Sequence, residues 1–264
     1  MSAPQIHATA IVDAAARLDD DVVVGPYCVI GPNVVIGRGS TLASHAVIEG
    51  HTTIGANNRI FQFSSIGADP QDKKFHGEKT ELIIGDGNTI REFATLQPGT
   101  EGGGRATRVG NGCLLMNYSH VAHDCLLGDS VTVANGAQLG GHVTIQDYVV
   151  VGALVGIHQF VKIGESAILG AGSMVSLDIA PFCNATGDRA TLHGLNVVGL
   201  KRRGFDEETI AVLRRLYRLV FQSGQKTAEA IETARRDLPD LPPVARFLHF
   251  IQQAERGLCR EHRK

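Results

Sequence analysis

The chain has no tryptophan, and aromatic residues make up only 5% of its 264 positions. No basic stripe interleaved with aromatics occurs, which argues against a nucleic-acid surface. The five cysteines (Cys28, Cys113, Cys125, Cys183 and Cys259) are scattered and odd in number, and no CxxC pair occurs. That pattern argues against a disulfide frame or a zinc–cysteine site and fits a reducing compartment. No apolar run reaches the roughly eighteen residues of a membrane-spanning helix, so no membrane insertion is expected. The opening MSAPQIHATAIVD lacks a basic segment followed by an apolar core. A signal peptide is therefore not expected, and a cytoplasmic location is.

The net charge is small, at −2, but the charges are unevenly placed. Residues 1–200 carry 11 Lys+Arg against 18 Asp+Glu, whereas 201–264 carry 14 against 9. A basic tail on an acidic body is either a solvated helical face or a docking surface for an acidic partner.

What the chain has in abundance is a period of six. Every sixth residue from Val109 to Val175 is Ile, Leu or Val, through Leu115, Val121, Leu127, Val133, Leu139, Ile145, Val151, Ile157, Ile163 and Leu169. The same period runs earlier through Leu18, Val24, Ile30, Ile36, Leu42, Ile48, Ile54, Ile60 and Ile66. Gly or Ala often follows the branched residue. A six-residue unit is one short strand plus a tight corner, with one branched side chain directed inward. Three units close a triangular coil of about eighteen residues, and coils stack about 4.8 Å apart into a solenoid with one continuous core. The fold class is therefore mainly β, a hexapeptide-repeat parallel β-helix. A prism over residues 1–182, a connector over 183–204 and a helical domain over 205–264 are expected.

Two stretches break the period. Residues 68–81 are polar, and the distance from Ile66 to Ile84 equals one coil, so a loop is expected to replace the walls of that coil. Residues 98–108, PGTEGGGRATR, read as a flexible excursion. In the tail, Ile210, Leu213, Tyr217 and Val220 share a helical face behind Asp206 as N-cap. A short helix over about 227–236 and a last helix from Pro243 to about Gly257 should follow.

Histidines mark the chemistry. His120, His123, His142 and His158 all lie off the inward position of their hexads, so burial in the core does not account for them. His142 follows His123 by one coil plus one residue, and His158 comes nearly one coil later. Such a stack suits either zinc, as in β-helix carbonic anhydrases, or one general base with substrate-binding neighbours.

Four strings then converge: HVAHDC (120–125), Leu139-Gly140-Gly141-His142, His158-Gln159-Phe160 and NVVGLKRRGF (196–205). Together with the loop 66–80 they resemble the UDP-N-acetylglucosamine O-acyltransferase family, over nearly the whole chain. The resemblance implies a left-handed β-helix with a C-terminal α-helical domain. It implies transfer of a 3-hydroxyacyl chain from acyl carrier protein to the 3-hydroxyl of UDP-N-acetylglucosamine, the first step of lipid A biosynthesis. It also implies a homotrimer with sites between neighbours, and neither cofactor nor metal. By resemblance His123 is the general base, the adjacent Asp124 a catalytic residue that orients or polarises the site, and Gly141 an oxyanion donor. Gln71, Asp72, Lys74, His120, His142, His158, Gln159, Asn196 and Arg202 would bind substrate. Ala171 and Arg189 would set acyl length. Val198 departs from the family, standing where a glutamate is usual. The related N-acyltransferase of the same pathway and a zinc-dependent hydratase are the alternatives.

Overall fold

The inward positions of the hexads build the core before anything else does. In a computed structural model that describes residues 2–262, Val24, Ile30, Ile36, Leu42, Ile48, Ile54 and their successors are all essentially inaccessible to solvent. Burying each such side chain stabilises by about 1.5–3 kcal/mol. Most strands are only two residues long, one outward and one inward. Parallel pairing to the next coil makes three flat walls. The first wall has eleven strands, from Gln5–Ile6 to Thr191–Leu195. The second has nine, from Ile11–Val12 to Met174–Val175, and the third has eight, from Arg17–Leu18 to Lys162–Ile163. This is a left-handed β-helix, and register is fixed throughout, as in Leu127 opposite Ile145.

Corners turn through residues in the left-handed backbone region, many of them not glycine. Tyr27, His45, Phe63, Phe93 and Tyr118 all have φ near +60° at the corner between the first and second walls. Their rings stack face to face, with centroids 4.9–5.2 Å apart. Stacking of this kind offsets part of the backbone cost of the turn.

The two breaks in the period are insertions, not replacements. Ile84 pairs with Ile54, thirty residues earlier, and Val109 pairs with Ile84, twenty-five earlier. Every wall is therefore present in those coils. The expectation that residues 68–81 stand in for missing walls is corrected: both excursions project from the corner between the second and third walls, on successive coils. The second is also less irregular than its glycines suggest. It holds a short 3-10 helix, Glu101–Gly103, and its last residues join the strand Ala106–Val109.

The expected connector over 183–204 is corrected too. Cys183–Thr186 pairs in parallel with Ile168–Leu169 and forms an antiparallel hairpin with Thr191–Leu195, so this stretch completes the first wall. Among the described residues four helices follow: α1 (Val197–Arg202), α2 (Glu207–Phe221), α3 (Thr227–Asp237) and α4 (Pro242–Gln252). Asp206 caps α2, its carboxylate accepting from Thr209 N–H at 2.6 Å. Ile210, Leu213, Tyr217 and Val220 are buried as their spacing demands. The last helix stops at Gln252 rather than near Gly257, because the chain turns back onto the prism.

Asp178 makes that return possible. It is fully buried, and its carboxylate accepts from the backbone N–H groups of Lys162, Glu255 and Arg256 at 2.8–3.2 Å. Its own backbone bonds Gly257 and Cys259. Alanine at 178 would strand three donors, each costing about 1–3 kcal/mol when buried and unpaired. We expect Asp178→Ala to lose about 3 kcal/mol, read from the urea midpoint. An unchanged midpoint would show that the tail is not tied down here.

Candidate active site

The corner that carries both excursions goes on, one coil later, to His123. There the chain needs no insertion, and His123, Asp124, Gly141, His142 and Phe160 occupy the successive corners. Asp124 has φ +58° and His142 φ +61°. Strand alternation would send the side chains of neighbours 123 and 124 to opposite faces. At a left-handed corner that alternation breaks, and His123 Nδ1 lies 2.8 Å from Asp124 Oδ2. The carboxylate is wholly buried, while the imidazole remains 14% exposed. A carboxylate accepts and does not donate, so Nδ1 carries the proton and Nε2 keeps a free lone pair.

Gly141 packs against that free edge. A Cβ built on it would lie 2.6 Å from His123 Cε1 and 2.7 Å from Nε2. Among the described residues the Gly141 N–H, itself on a buried residue, donates to no protein acceptor. His142 stacks on Phe160 at 4.3 Å and meets His123 edge-on at 5.1 Å. Its Nε2 is 3.8 Å from Asp124 Oδ2. His120 shares a 2.7 Å hydrogen bond with Thr95 Oγ1. Burial lowers the His120 pKa, with His123 adding to the effect. Burial also lowers that of His142, where Asp124 opposes and His123 assists. Both rings therefore resist protonation and stay neutral at neutral pH.

Two hollows flank His123. A groove of about 660 Å³ runs up the second wall, lined by Gln71, His120, His123, Gly141, His158 and Arg189 among others. A neighbouring cleft of about 900 Å³ holds Asp72, Lys74 and His142 beneath the excursions. The first excursion is tied to the wall by Gln71 N–H donating to Gln97 Oε1 at 3.2 Å.

Besides Asp124, whose side chain is sealed behind His123, four expected site residues fall outside both hollows. Gln159 is exposed beside them. Ala171 sits on the other edge of the second wall, at the corner where Gly172 N–H reaches Ala153. Resemblance assigned it to acyl length, and its place in a hexad does not say which corner it occupies. Asn196 is spent as a cap, accepting from Gly199 N–H and donating to Ser166. Arg202 is exposed on α1, and Val198 is 62% exposed one turn earlier. Arg203, by contrast, is held by Glu165 at 2.7 Å and lies 3.6 Å over Tyr148. At the groove's upper end the wall is Gly156, Met174 and Ser176 rather than Ala171. Phe160 belongs to the string His158-Gln159-Phe160, whereas nothing in the sequence singled out Met174.

His123, Asp124 and His142 present ligand atoms within 4.8 Å of one another. Two of those atoms, however, His123 Nδ1 and Asp124 Oδ2, are hydrogen-bonded to each other. The set reads as an oriented base rather than as an open chelate.

Relatives bear on the same architecture. Residues 15–50 and 106–141 match the bacterial transferase hexapeptide family. Residues 178–259 match the second domain of UDP N-acetylglucosamine O-acyltransferase. An acyl-[acyl-carrier-protein]–UDP-N-acetylglucosamine O-acyltransferase of Myxococcus xanthus is 54% identical over 256 residues, 97% of this chain and 99% of that one. The enzyme of the same name from Thermodesulfovibrio yellowstonii is 48% identical with the same coverage. The crystal structure of UDP-N-acetylglucosamine O-acyltransferase from Moraxella catarrhalis superposes with a TM-score of 0.93 at 41% identity, covering 97% of this chain and 99% of that one. The Arabidopsis UDP-N-acetylglucosamine acyltransferase reaches 0.86 at 33%, covering 97% and 100%. With fold, corner chemistry and near-complete coverage in agreement, the chain belongs to the acyl-[acyl-carrier-protein]–UDP-N-acetylglucosamine O-acyltransferase family of acyltransferases.

Proposed function

We propose that this enzyme moves a 3-hydroxyacyl chain from acyl carrier protein to the 3-hydroxyl of UDP-N-acetylglucosamine in the cytoplasm, opening lipid A biosynthesis. The observation that carries the mechanism is the His123–Asp124 pair, with Nδ1 engaged and Nε2 open beside Gly141. Nε2 takes the proton of the sugar hydroxyl as its oxygen attacks the thioester carbonyl carbon. The Gly141 N–H then faces the developing oxyanion. Collapse breaks the carbon–sulfur bond, and the imidazolium returns its proton to the departing carrier thiolate. The apolar groove along Leu139, Gly156 and Met174 suits an acyl chain. Asp72, Lys74 and His142 in the polar cleft suit the nucleotide sugar.

Asn196, Arg202 and Ala171 lie away from this base within one chain. We assign them to a homotrimer in which a second copy closes the groove, each copy lending these residues to its neighbour. The test is an acyl-transfer assay with UDP-N-acetylglucosamine and hydroxyacyl carrier protein, run beside metal analysis. Ester formation without bound zinc is the expected result, and stoichiometric zinc with no transfer would favour the hydratase.

The helical domain supplies the carrier-protein surface in this reading. Part of its cationic excess is neutralised locally, as in Arg235 with Glu232 and Arg236 with Asp237. Arg214, Arg215 and Arg218 on α2 form no such ion pair among the described residues. Steering by exposed charge is screened over about 8 Å at physiological salt. KM for the carrier protein should therefore rise several-fold between low and high salt, while that for the sugar nucleotide changes less. A KM for the carrier that ignores salt would remove this role.

A further inference from the structure

The excursion over residues 98–108 touches the reacting corner from behind. Thr100 N–H donates to Asp124 Oδ1 at 2.9 Å, and Thr100 Oγ1 donates to Oδ2 at 2.6 Å. Oδ2 is also the oxygen that His123 Nδ1 meets. Thr100 is itself only 5% exposed, and the Asp124 side chain is sealed from solvent. Gly103, in the 3-10 helix, closes the lid. Any Cβ there would fall onto the Asp124 carboxyl group, in contact with its carbon and both oxygens. The insertion thus grips both oxygens of the aspartate with one residue and roofs them with another. Nothing in these contacts requires the insertion for the prism itself, since all three walls pass beneath it unbroken.

We propose that Thr100 and Gly103 are positioning residues for the acyl transfer, acting through Asp124 to fix the tautomer and rotation of the His123 imidazole. The proposal rests on the reading of His123 as base. An aspartate free to rotate about its side-chain torsions would offer Nδ1 a moving acceptor. Two donors from the buried Thr100 hold it in one orientation, so that Nε2 stays aimed at the groove beside Gly141. The excursion that looks like a surface loop in the sequence is then part of the machinery that orients the base. Thr100 is suited to this by supplying a backbone and a side-chain donor from one position. Gly103 is suited by having no side chain to displace the carboxylate.

The experiment compares Thr100→Val, Thr100→Ser and Gly103→Ala with wild type, in kcat and in KM for both substrates. Valine keeps the shape and the backbone donor but removes the hydroxyl. A lost hydrogen bond to a charged group is worth about tenfold to a hundredfold. We expect kcat to fall by that factor with both KM values within about twofold, and serine to restore most of it. Gly103→Ala should lower kcat similarly by pushing the carboxylate aside, and it carries the test should Thr100→Val fail to fold. Thr100→Val is also made in an Asp124→Asn background, where it should add less than about twofold. Wild-type kcat in both Thr100→Val and Gly103→Ala overturns the proposal. So does an equal further loss in the Asp124→Asn background, which would mark a general structural defect. His123→Ala, assayed alongside, separates the two levels. If it keeps activity, the base assignment itself fails; if it is dead while Thr100→Val is unimpaired, only the positioning role fails.

Discussion

Replacing His123 with alanine should lower kcat by about 10²–10⁴-fold, the range for removing a positioned general base. The fold should survive, because the imidazole occupies a corner outside the apolar core and retains some exposure. One cost does follow. The Asp124 carboxylate stays buried and loses one of its three donors, keeping those from Thr100. Destabilisation should therefore stay within about 1–3 kcal/mol. KM for both substrates should move little, since Gln71, His120 and His158 still line the groove. Removing an interaction made in the transition state lowers kcat and kcat/KM together. Should His123→Ala turn over at the wild-type rate, the proton must leave by another route. His142 would then be the nearest imidazole to examine.

The scaffold was legible because its period is unusually strict. One branched residue in six is enough to define an inward column, and the predicted positions from Val24 to Val175 are buried. Helix α2 was legible for the complementary reason: its four apolar positions and its Asp206 cap each carry a local signal. What escaped was whatever depended on the third dimension of the coil. The length from Ile66 to Ile84 fits a replaced coil as well as an insertion at one corner. Only the pairing of Ile54 with Ile84 decides between them. The stretch 183–195 lacks the hexad rhythm because its last pairing is an antiparallel hairpin, which imposes no period of six.

Within the site, His123 and His142 were legible as neighbours on stacked corners and Gly141 by resemblance, and the structure brings them together. Asp124 was expected to orient or polarise the site, but its direct contact with His123 was not legible, because adjacency along a strand argues against it. A left-handed φ at Asp124 reverses that argument, and no composition rule forces it there. Thr100 was hidden by its setting, since a threonine ahead of a glycine run reads as loop. Its contact with Asp124 spans twenty-four residues and depends on the insertion folding back over its corner. Ala171 was assigned to acyl length by resemblance, with its hexad only placing it beyond the catalytic histidine. One chain shows it on the opposite edge of the wall from the base, where Met174 and Gly156 line the groove instead.

Gly141→Ala should be nearly as damaging as loss of the base, though it removes no functional group. A methyl group at 141 would sit 2.6–2.7 Å from two atoms of the His123 ring, closer than such contacts allow. The backbone cannot relieve this, because Gly140 N–H is bonded to Ile157 and His142 N–H to His123. The imidazole therefore has to yield, and its far nitrogen is anchored to Asp124 at 2.8 Å. Any rotation that clears the methyl either breaks that hydrogen bond or turns Nε2 away from the groove. Displacing a reacting group by about 1 Å can cost on the order of a hundredfold in rate. The methyl also narrows the approach of the thioester oxygen to the Gly141 N–H, and losing one oxyanion donor costs about 10²–10³-fold. Global stability should fall by about 1–3 kcal/mol at most, the usual range for overpacking. We expect kcat to drop by at least a hundredfold. His123→Ala made in the Gly141→Ala background should then cost far less than it does alone, because the same geometry has already been lost. Full additivity of the two substitutions would show that Gly141 acts on the oxyanion alone, and wild-type kcat in Gly141→Ala would remove it from the reacting corner.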